Sequence, residues 1–258
     1  MNLKKCCAML LAVCCVLVCA CAGAQEGAAE AVVYGVYSQE GEHPDSLIRV
    51  TLTCDADKHI TGVQLDEALI PYAVGGASGW AVLSDENAAL LGEAIVTGPD
   101  GKRYPASMEL GGVVWTAEAT DAEVLYKGSV DGSETILGDY YITSDGGNWY
   151  YETMAEGAKL LDKDGNTAVT VEIGTKASIN HGVDFWPSAI TFPGNIQRIA
   201  DFVTANGVAY NAYPESDDIH KGEDGSWYVL DATTGATLAG TPNYLNLIKQ
   251  AYDALSAN

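Results

Sequence analysis

The chain has 258 residues, 48% of them hydrophobic, with a formal net charge of −22 and seven cysteines. Length and apolar content suit one elaborated domain or two small ones, and a surface this acidic, repelled by nucleic acid and by anionic lipid, excludes DNA binding and basic membrane-surface roles. Six of the cysteines precede residue 22, so the body, left with Cys54, can form no internal disulfide and must stand on its core.

Met1 to about Ala20 reads as a secretory signal. Lys4 and Lys5 precede an apolar run from Ala8 to Val18 that is too short and wrongly flanked for a lasting membrane span. Val18-Cys19-Ala20-Cys21 resembles the lipobox of bacterial lipoproteins. That implies lipidation of Cys21, a lipid anchor on the outer face of the bacterial cytoplasmic membrane, and a polar tether over residues 21–30. Ala22-Gly23-Ala24 also suits the ordinary signal peptidase, and cleavage at Ala24 would give a secreted protein instead.

The body begins with strands at Ala31 to Tyr37, Leu47 to Cys54 and, after Asp57-Lys58, Ile60 to Leu65. Cys54 alternates with Val50 and Leu52, which marks a small buried hydrophobe and not a nucleophile. Ser84-Asp85-Glu86-Asn87 ahead of Ala88 to Leu91 predicts a short capped helix. From about residue 98 to 157, short strands spaced by Gly and Asp predict a β-rich insertion. Its candidates are Val113 to Thr116, Glu123 to Tyr126, and a hairpin joining Gly138 to Thr143 with Asn148 to Glu152 through Ser144-Asp145-Gly146-Gly147. Trp149, Tyr150 and Tyr151 would then pack across strands.

Asp162-Lys163-Asp164-Gly165-Asn166 lacks the spacing and final Glu of a calcium loop and reads as a hairpin turn between Leu160 and Val169. His43, His59, His181 and His220 have no zinc-type spacing, so no metal is expected. Neither a nucleophile elbow, a P-loop nor a dinucleotide fingerprint occurs, and no catalytic residue is assigned. Val169 to Ile173 is a strand. After the aromatic stretch His181 to Pro187, a helix starts near Pro193-Gly194-Asn195, carries Ile196, Ile199, Ala200 and Val203 on its core face, and stops at Asn206-Gly207. Asp224-Gly225 turns the chain into a strand at Trp227 to Leu230. A last helix over Asn243 to Leu255, with Thr241 as N-cap and Pro242 as its first residue, buries Leu245, Ile248, Tyr252 and Leu255. The fold class expected is α+β: a twisted, mainly antiparallel sheet with two packed helices and the β-rich insertion.

Between that strand and that helix lies Asp231-Ala232-Thr233-Thr234-Gly235-Ala236-Thr237. A loop feeding a helix N-terminus favours an anion, and Gly235 and Ala236 carry too little side chain to obstruct an approaching molecule. Asp231-x-x-Thr234-Gly235-Ala236-Thr237 resembles the flavinylation motif of the FMN-binding domain family. That family includes the C subunit of sodium-pumping NADH:quinone oxidoreductase, the G subunit of the Rnf complex and many bacterial surface lipoproteins. Gly35-Val36-Tyr37, Ile48-x-Val50-x-Leu52 and Ile60-x-x-Val63 are similar to its opening strands, so residues 31–258 would form one FMN-binding-like domain.

The resemblance implies FMN joined by a phosphoester to Thr237, a flavin transferase as maturation partner, and recognition roles for Asp231, Thr234, Gly235 and Ala236. Trp186, Tyr210 and Trp227 are candidates for the flat apolar wall that an isoalloxazine ring needs. The chain departs from the family in one respect: Leu238-Ala239-Gly240-Thr241-Pro242 separates Thr237 from the helix, which in the family follows almost at once.

The function expected is that of an exported lipoprotein, a one- or two-electron carrier in extracytosolic electron transfer between a membrane donor and an extracellular acceptor, and not an enzyme with its own substrate. Two other classes stand beside it: a surface lipoprotein binding flavin or another small ligand without a covalent bond, and a structural surface antigen or adhesin. The first alternative differs from the main reading only at Thr237, and the second predicts a colourless protein.

Overall fold

A computed structural model of the chain describes residues 16–19, 29–37, 46–72, 79–177 and 189–257. Two compact units divide them, one built from Leu69–Gly174 with Val36–Leu47, the other from Cys14–Gly35, Ile48–Ala68 and Thr175–Asn258. The fold is α+β with mostly antiparallel sheets. Residues 98–157, expected as an insertion, lie in the first unit, which extends beyond them on both sides.

The chain opens with a four-stranded sheet in the order β1 (Val16–Cys19), β2 (Ala29–Tyr37), β3 (Ser46–Cys54) and β4 (Ile60–Leu69). Alternation sets the register of β3: Ile48, Val50, Leu52 and Cys54 are buried while Arg49, Thr51 and Thr53 are partly exposed. Burial also pushes the Cys54 thiol up from its ordinary pKa, helped by the neighbouring Asp55 carboxylate. β1 lies within the stretch read as a leader, and its VLVC backbone pairs antiparallel with β2.

In the first unit, α1 (Asp85–Leu91) starts as its sequence predicts, with Ser84 Oγ accepting from Asn87 N at 3.1 Å. The pair β5 (Ile95–Thr97) and β6 (Arg103–Pro105) follows. The main sheet is an antiparallel meander of β7 (Ser107–Leu110), β8 (Val113–Ala119), β9 (Val124–Val130) and β10 (Ser133–Ile136). Against β7 it adds the hairpin β11 (Ala158–Leu161) and β12 (Thr167–Val171). That hairpin turns where the sequence indicated, with Asp162 Oδ1 accepting from Asp164 N and Asn166 N, both at 2.9 Å.

The hairpin expected across residues 138–152 is replaced by two helices, α2 (Leu137–Tyr141) and α3 (Ser144–Thr153). Thr143 is the reason: its Oγ1 caps α3 by accepting from Gly146 N at 3.0 Å. Gly146 is no turn residue here. It lets the helices meet, since a Cβ would lie 1.8 Å from Tyr140 O. Tyr150 and Tyr151 consequently face the core instead of a strand partner; the Tyr150 hydroxyl donates to Leu69 O at 2.6 Å and accepts from Trp80 Nε1 at 2.7 Å.

The second unit continues with α4 (Phe192–Asn206), then the small antiparallel sheet β13 (Ile219–Lys221), β14 (Trp227–Val229) and β15 (Ala232–Thr233), and closes on α5 (Thr241–Ser256). Thr191 Oγ1 caps α4, Pro193 sits in its first turn, and Gly207 closes it at φ +72. Ile199, Ala200 and Val203 are buried as the stripe requires, and Ile196 is half-buried. α5 buries Leu245, Ile248 and Leu255, with Tyr252 half-buried. It meets β2 closely at Gly35, where a Cβ would lie 2.6 Å from both methyls of Leu247.

Thr241 does not cap α5. Gly240 takes that place without a side-chain bond, and the buried Thr241 turns its hydroxyl back to Leu238 O at 2.8 Å. Among the described residues no helix is long and apolar enough to cross a membrane.

Candidate functional site

The stretch Asp231 to Thr237 begins as the far side of a tight hairpin. Leu230 has φ +52 and Asp231 is exposed beside it at the corner, and Ala232 and Thr233 return as β15 beside β14. From there the chain wraps around Trp227. Thr234 donates to Trp227 O through its main-chain N at 2.8 Å and through Oγ1 at 2.7 Å. Trp227 N donates to Ala236 O at 2.8 Å, and Trp227 Nε1 to Leu238 O at 2.7 Å. The two motif positions that point inward, Thr234 and Ala236, are therefore buried for a mechanical reason.

Thr237, half-buried, is held from another direction. Asn195, on the first turn of α4 and fully buried, accepts at Oδ1 from Thr237 N at 2.6 Å, Leu238 N at 3.3 Å and Thr237 Oγ1 at 3.3 Å. Its Nδ2 donates to Ile190 O at 3.0 Å and Thr191 O at 3.1 Å, which fixes the orientation of the amide. One turn further on, Arg198 Nη1 donates to Gly235 O at 2.7 Å. Gly235 adopts φ +69, a left-handed conformation that suits glycine.

The chain matches no protein-family model, no curated protein and no solved structure. Three expectations about this loop change with its geometry. The helix N-terminus bonded to it is that of α4, through Asn195, while α5 starts only at Thr241. Ala236 is buried and offers no open approach. Tyr210 and Trp227, the candidates for a ring-binding wall, are both buried, and the Tyr210 hydroxyl donates to Leu245 O at 2.8 Å, with burial raising its pKa. Trp227 instead serves as the post around which the motif folds, with Tyr213 edge-on to its ring at 6.1 Å. Trp186, Cys21 and the loop His181 to Pro187 lie outside the described residues, as does His43.

Asn195 and Arg198 are site residues that the sequence reading passed over. Asn195 had a readable signal, because it stands four residues before Ile199 on the core-facing stripe, where a polar side chain must find buried partners. Arg198 had none. A cleft of about 470 Å³ in the same unit, lined by Lys58, His59, Asn206, Lys249 and Tyr252, lies at the C-terminal end of α4. Its lining begins at Thr204, roughly 14 Å along the helix from Asn195 at 1.5 Å per residue, and belongs to a different part of the surface.

The residues present suit the phosphate end of an FMN ester: a half-buried hydroxyl, a neighbouring exposed guanidinium and a left-handed glycine. For the ring end, neither described aromatic candidate presents a face.

Proposed function

We propose that the chain carries FMN covalently on Thr237 and serves as an electron carrier outside the cytosol, tethered to the membrane by a lipid on Cys21. One observation carries the reading: the motif resembling a flavinylation site ends on a hydroxyl whose loop is fastened by other atoms. Asn195 grips the loop through the N–H groups of Thr237 and Leu238, and those bonds do not use the oxygen to be esterified. Esterification would replace the Thr237 Oγ1 contact with Asn195 and leave both main-chain bonds in place.

Attachment requires an activated donor, because direct esterification would have to expel water. A flavin dinucleotide supplies it: Thr237 Oγ1 attacks the FMN phosphorus, the O–P bond forms, and the pyrophosphate bond breaks. The nucleoside monophosphate leaves with the electron pair, and the hydroxyl proton passes to a base of the flavin transferase. When bound, FMN supplies one- or two-electron transfer. The chain's residues contribute attachment and position. Thr234 keeps the loop wound on Trp227, and Asp231 presents an exposed carboxylate at the hairpin corner, where a transferase can read it.

Co-expression with a flavin transferase tests the reading. The wild-type band should fluoresce in a denaturing gel, Thr237→Ala should be dark, and Thr237→Ser should retain part of the signal. Thr234→Ala should be dimmer because the wrap around Trp227 loosens. Fluorescence undiminished in Thr237→Ala rejects Thr237 as the acceptor, and a dark wild type beside an active transferase rejects covalent flavin.

A further inference from the structure

Asn195 and Arg198 are three residues apart on α4 and reach the same loop, the first at Thr237 and Leu238, the second at Gly235. The chain contains three arginines, Arg49, Arg103 and Arg198. Arg49 pairs with Asp66 at 3.7 Å and Arg103 with Asp85 at 2.5 Å. Arg198 has no carboxylate partner among the described residues, although the chain carries 35 acidic residues against 13 lysines and arginines. Its guanidinium lies instead on a main-chain carbonyl, which uses one of its several N–H donors and leaves its charge uncompensated by any carboxylate among the described residues.

Gly235 is adapted to that approach. Besides the left-handed φ, a Cβ there would stand 3.3 Å from Arg198 Nη1 and 3.7 Å from its Cδ, so a larger residue would crowd the guanidinium. One residue, Ala236, separates Gly235 from Thr237, so the two lie at most about 7 Å apart along the chain. A phosphate on Thr237 Oγ1 therefore falls within the range of a side chain as long as arginine.

We propose that Arg198 is the phosphate-recognition residue of this loop: its guanidinium binds the phosphate that FMN brings to Thr237 and holds the anionic diester after transfer. The proposal rests on Thr237 being the flavin acceptor. Its physical ground is charge. The diester adds a negative charge to a protein already at −22, and Arg198 is the cation held at the loop to receive it. Arginine suits this better than lysine because its planar fork can keep the Gly235 carbonyl while offering other donors to the phosphate.

The test uses the full chain as wild type, Arg198→Gln and Arg198→Lys, each incubated with purified flavin transferase and flavin dinucleotide. Labelling is followed by intact mass, and the labelled proteins are compared by phosphorus-31 NMR, with thermal unfolding as the control for folding. Arg198→Gln should label at least about tenfold more slowly, as expected for loss of a charge-assisted hydrogen bond. Arg198→Lys should recover part of the rate, and the diester resonance should move in both variants.

Wild-type labelling rates in Arg198→Gln overturn the proposal. Slow labelling with an unmoved phosphorus resonance also overturns it, since Arg198 would then be a contact for the transferase. Should Arg198→Gln fail to fold, an unmoved resonance in Arg198→Lys decides against it. A wild type that stays unlabelled, or is labelled elsewhere, fails in a different experiment arm and removes the acceptor reading itself.

Discussion

Replacing Asn195 with Ala should release the motif loop while leaving the rest of α4 in place. The substitution withdraws an acceptor from Thr237 N and Leu238 N, and a donor from the carbonyls of Ile190 and Thr191. Each intact bond of this kind is worth about 0.5–1.5 kcal/mol net, and a buried group left without a partner costs about 1–3 kcal/mol. Leu238 is buried and pays that penalty, whereas Thr237 is half-buried and can recover part of its loss from water. The total expected is about 2–4 kcal/mol.

Because the chain divides into two units, a single unfolding midpoint need not isolate this effect. Amide hydrogen exchange does. Protection at Thr237 and Leu238 should fall about tenfold or more, one factor of ten for each 1.4 kcal/mol or so, with Ile199 much less affected. By contrast, Thr237→Ala leaves the two main-chain bonds to Asn195 in place and should cost less than Asn195→Ala. Unchanged protection of both amides in Asn195→Ala would refute the view that this side chain holds the loop.

Ile199→Ala, at a fully buried position on α4, should cost about 2–5 kcal/mol in urea unfolding. Gly35→Ala should cost about 1–3 kcal/mol through its contact with Leu247, and combining it with Leu247→Ala should cost less than the sum of the two single changes. Leu230→Gly relieves a left-handed, half-exposed leucine at the hairpin corner and should be neutral or stabilising, by up to about 1 kcal/mol, in the same assay. Main-chain N–H donation from Asn166, first among several hydrogen bonds, holds the Asp162 carboxyl below its ordinary pKa of 3.8. A lowered folded value stabilises above the unfolded pKa, and the contribution disappears as pH falls through the folded one. Asp162→Ala should therefore lower the melting temperature at neutral pH, with the difference from wild type closing below pH 3.8.

Local sequence grammar told most where one device decided the outcome. The strand alternation of Val50, Leu52 and Cys54, the Ser84 cap, the Asp162 turn and the Ile199 stripe each rest on contacts within a few residues, and each is found where expected. Residues 138–152 misled because Asp145-Gly146-Gly147 carries turn chemistry, while the choice between turn and helix lay with Thr143 and with close packing on Tyr140 O.

The site was legible only in part for a related reason. Asp231 to Thr237 could be picked out as a loop, but its conformation depends on Trp227 inside it and on Asn195, 42 residues earlier in the chain. Trp227 read as a wall for a ring because aromatic residues near a motif invite that reading. The hydrogen bonds that turn it into a post join its main chain and its indole N–H to residues further along the wrapped loop, and no periodicity of residue types encodes them.

The central claim is that Thr237 is the acceptor of a covalent flavin, and peptide-level mass spectrometry tests it most directly. After co-expression with a flavin transferase, the peptide containing Asp231 to Thr237 should gain the mass of FMN less one water, and fragmentation should assign that mass to Thr237. An unmodified peptide from a preparation in which the transferase modifies a known substrate, or the added mass on Thr233 or Thr234, would contradict it.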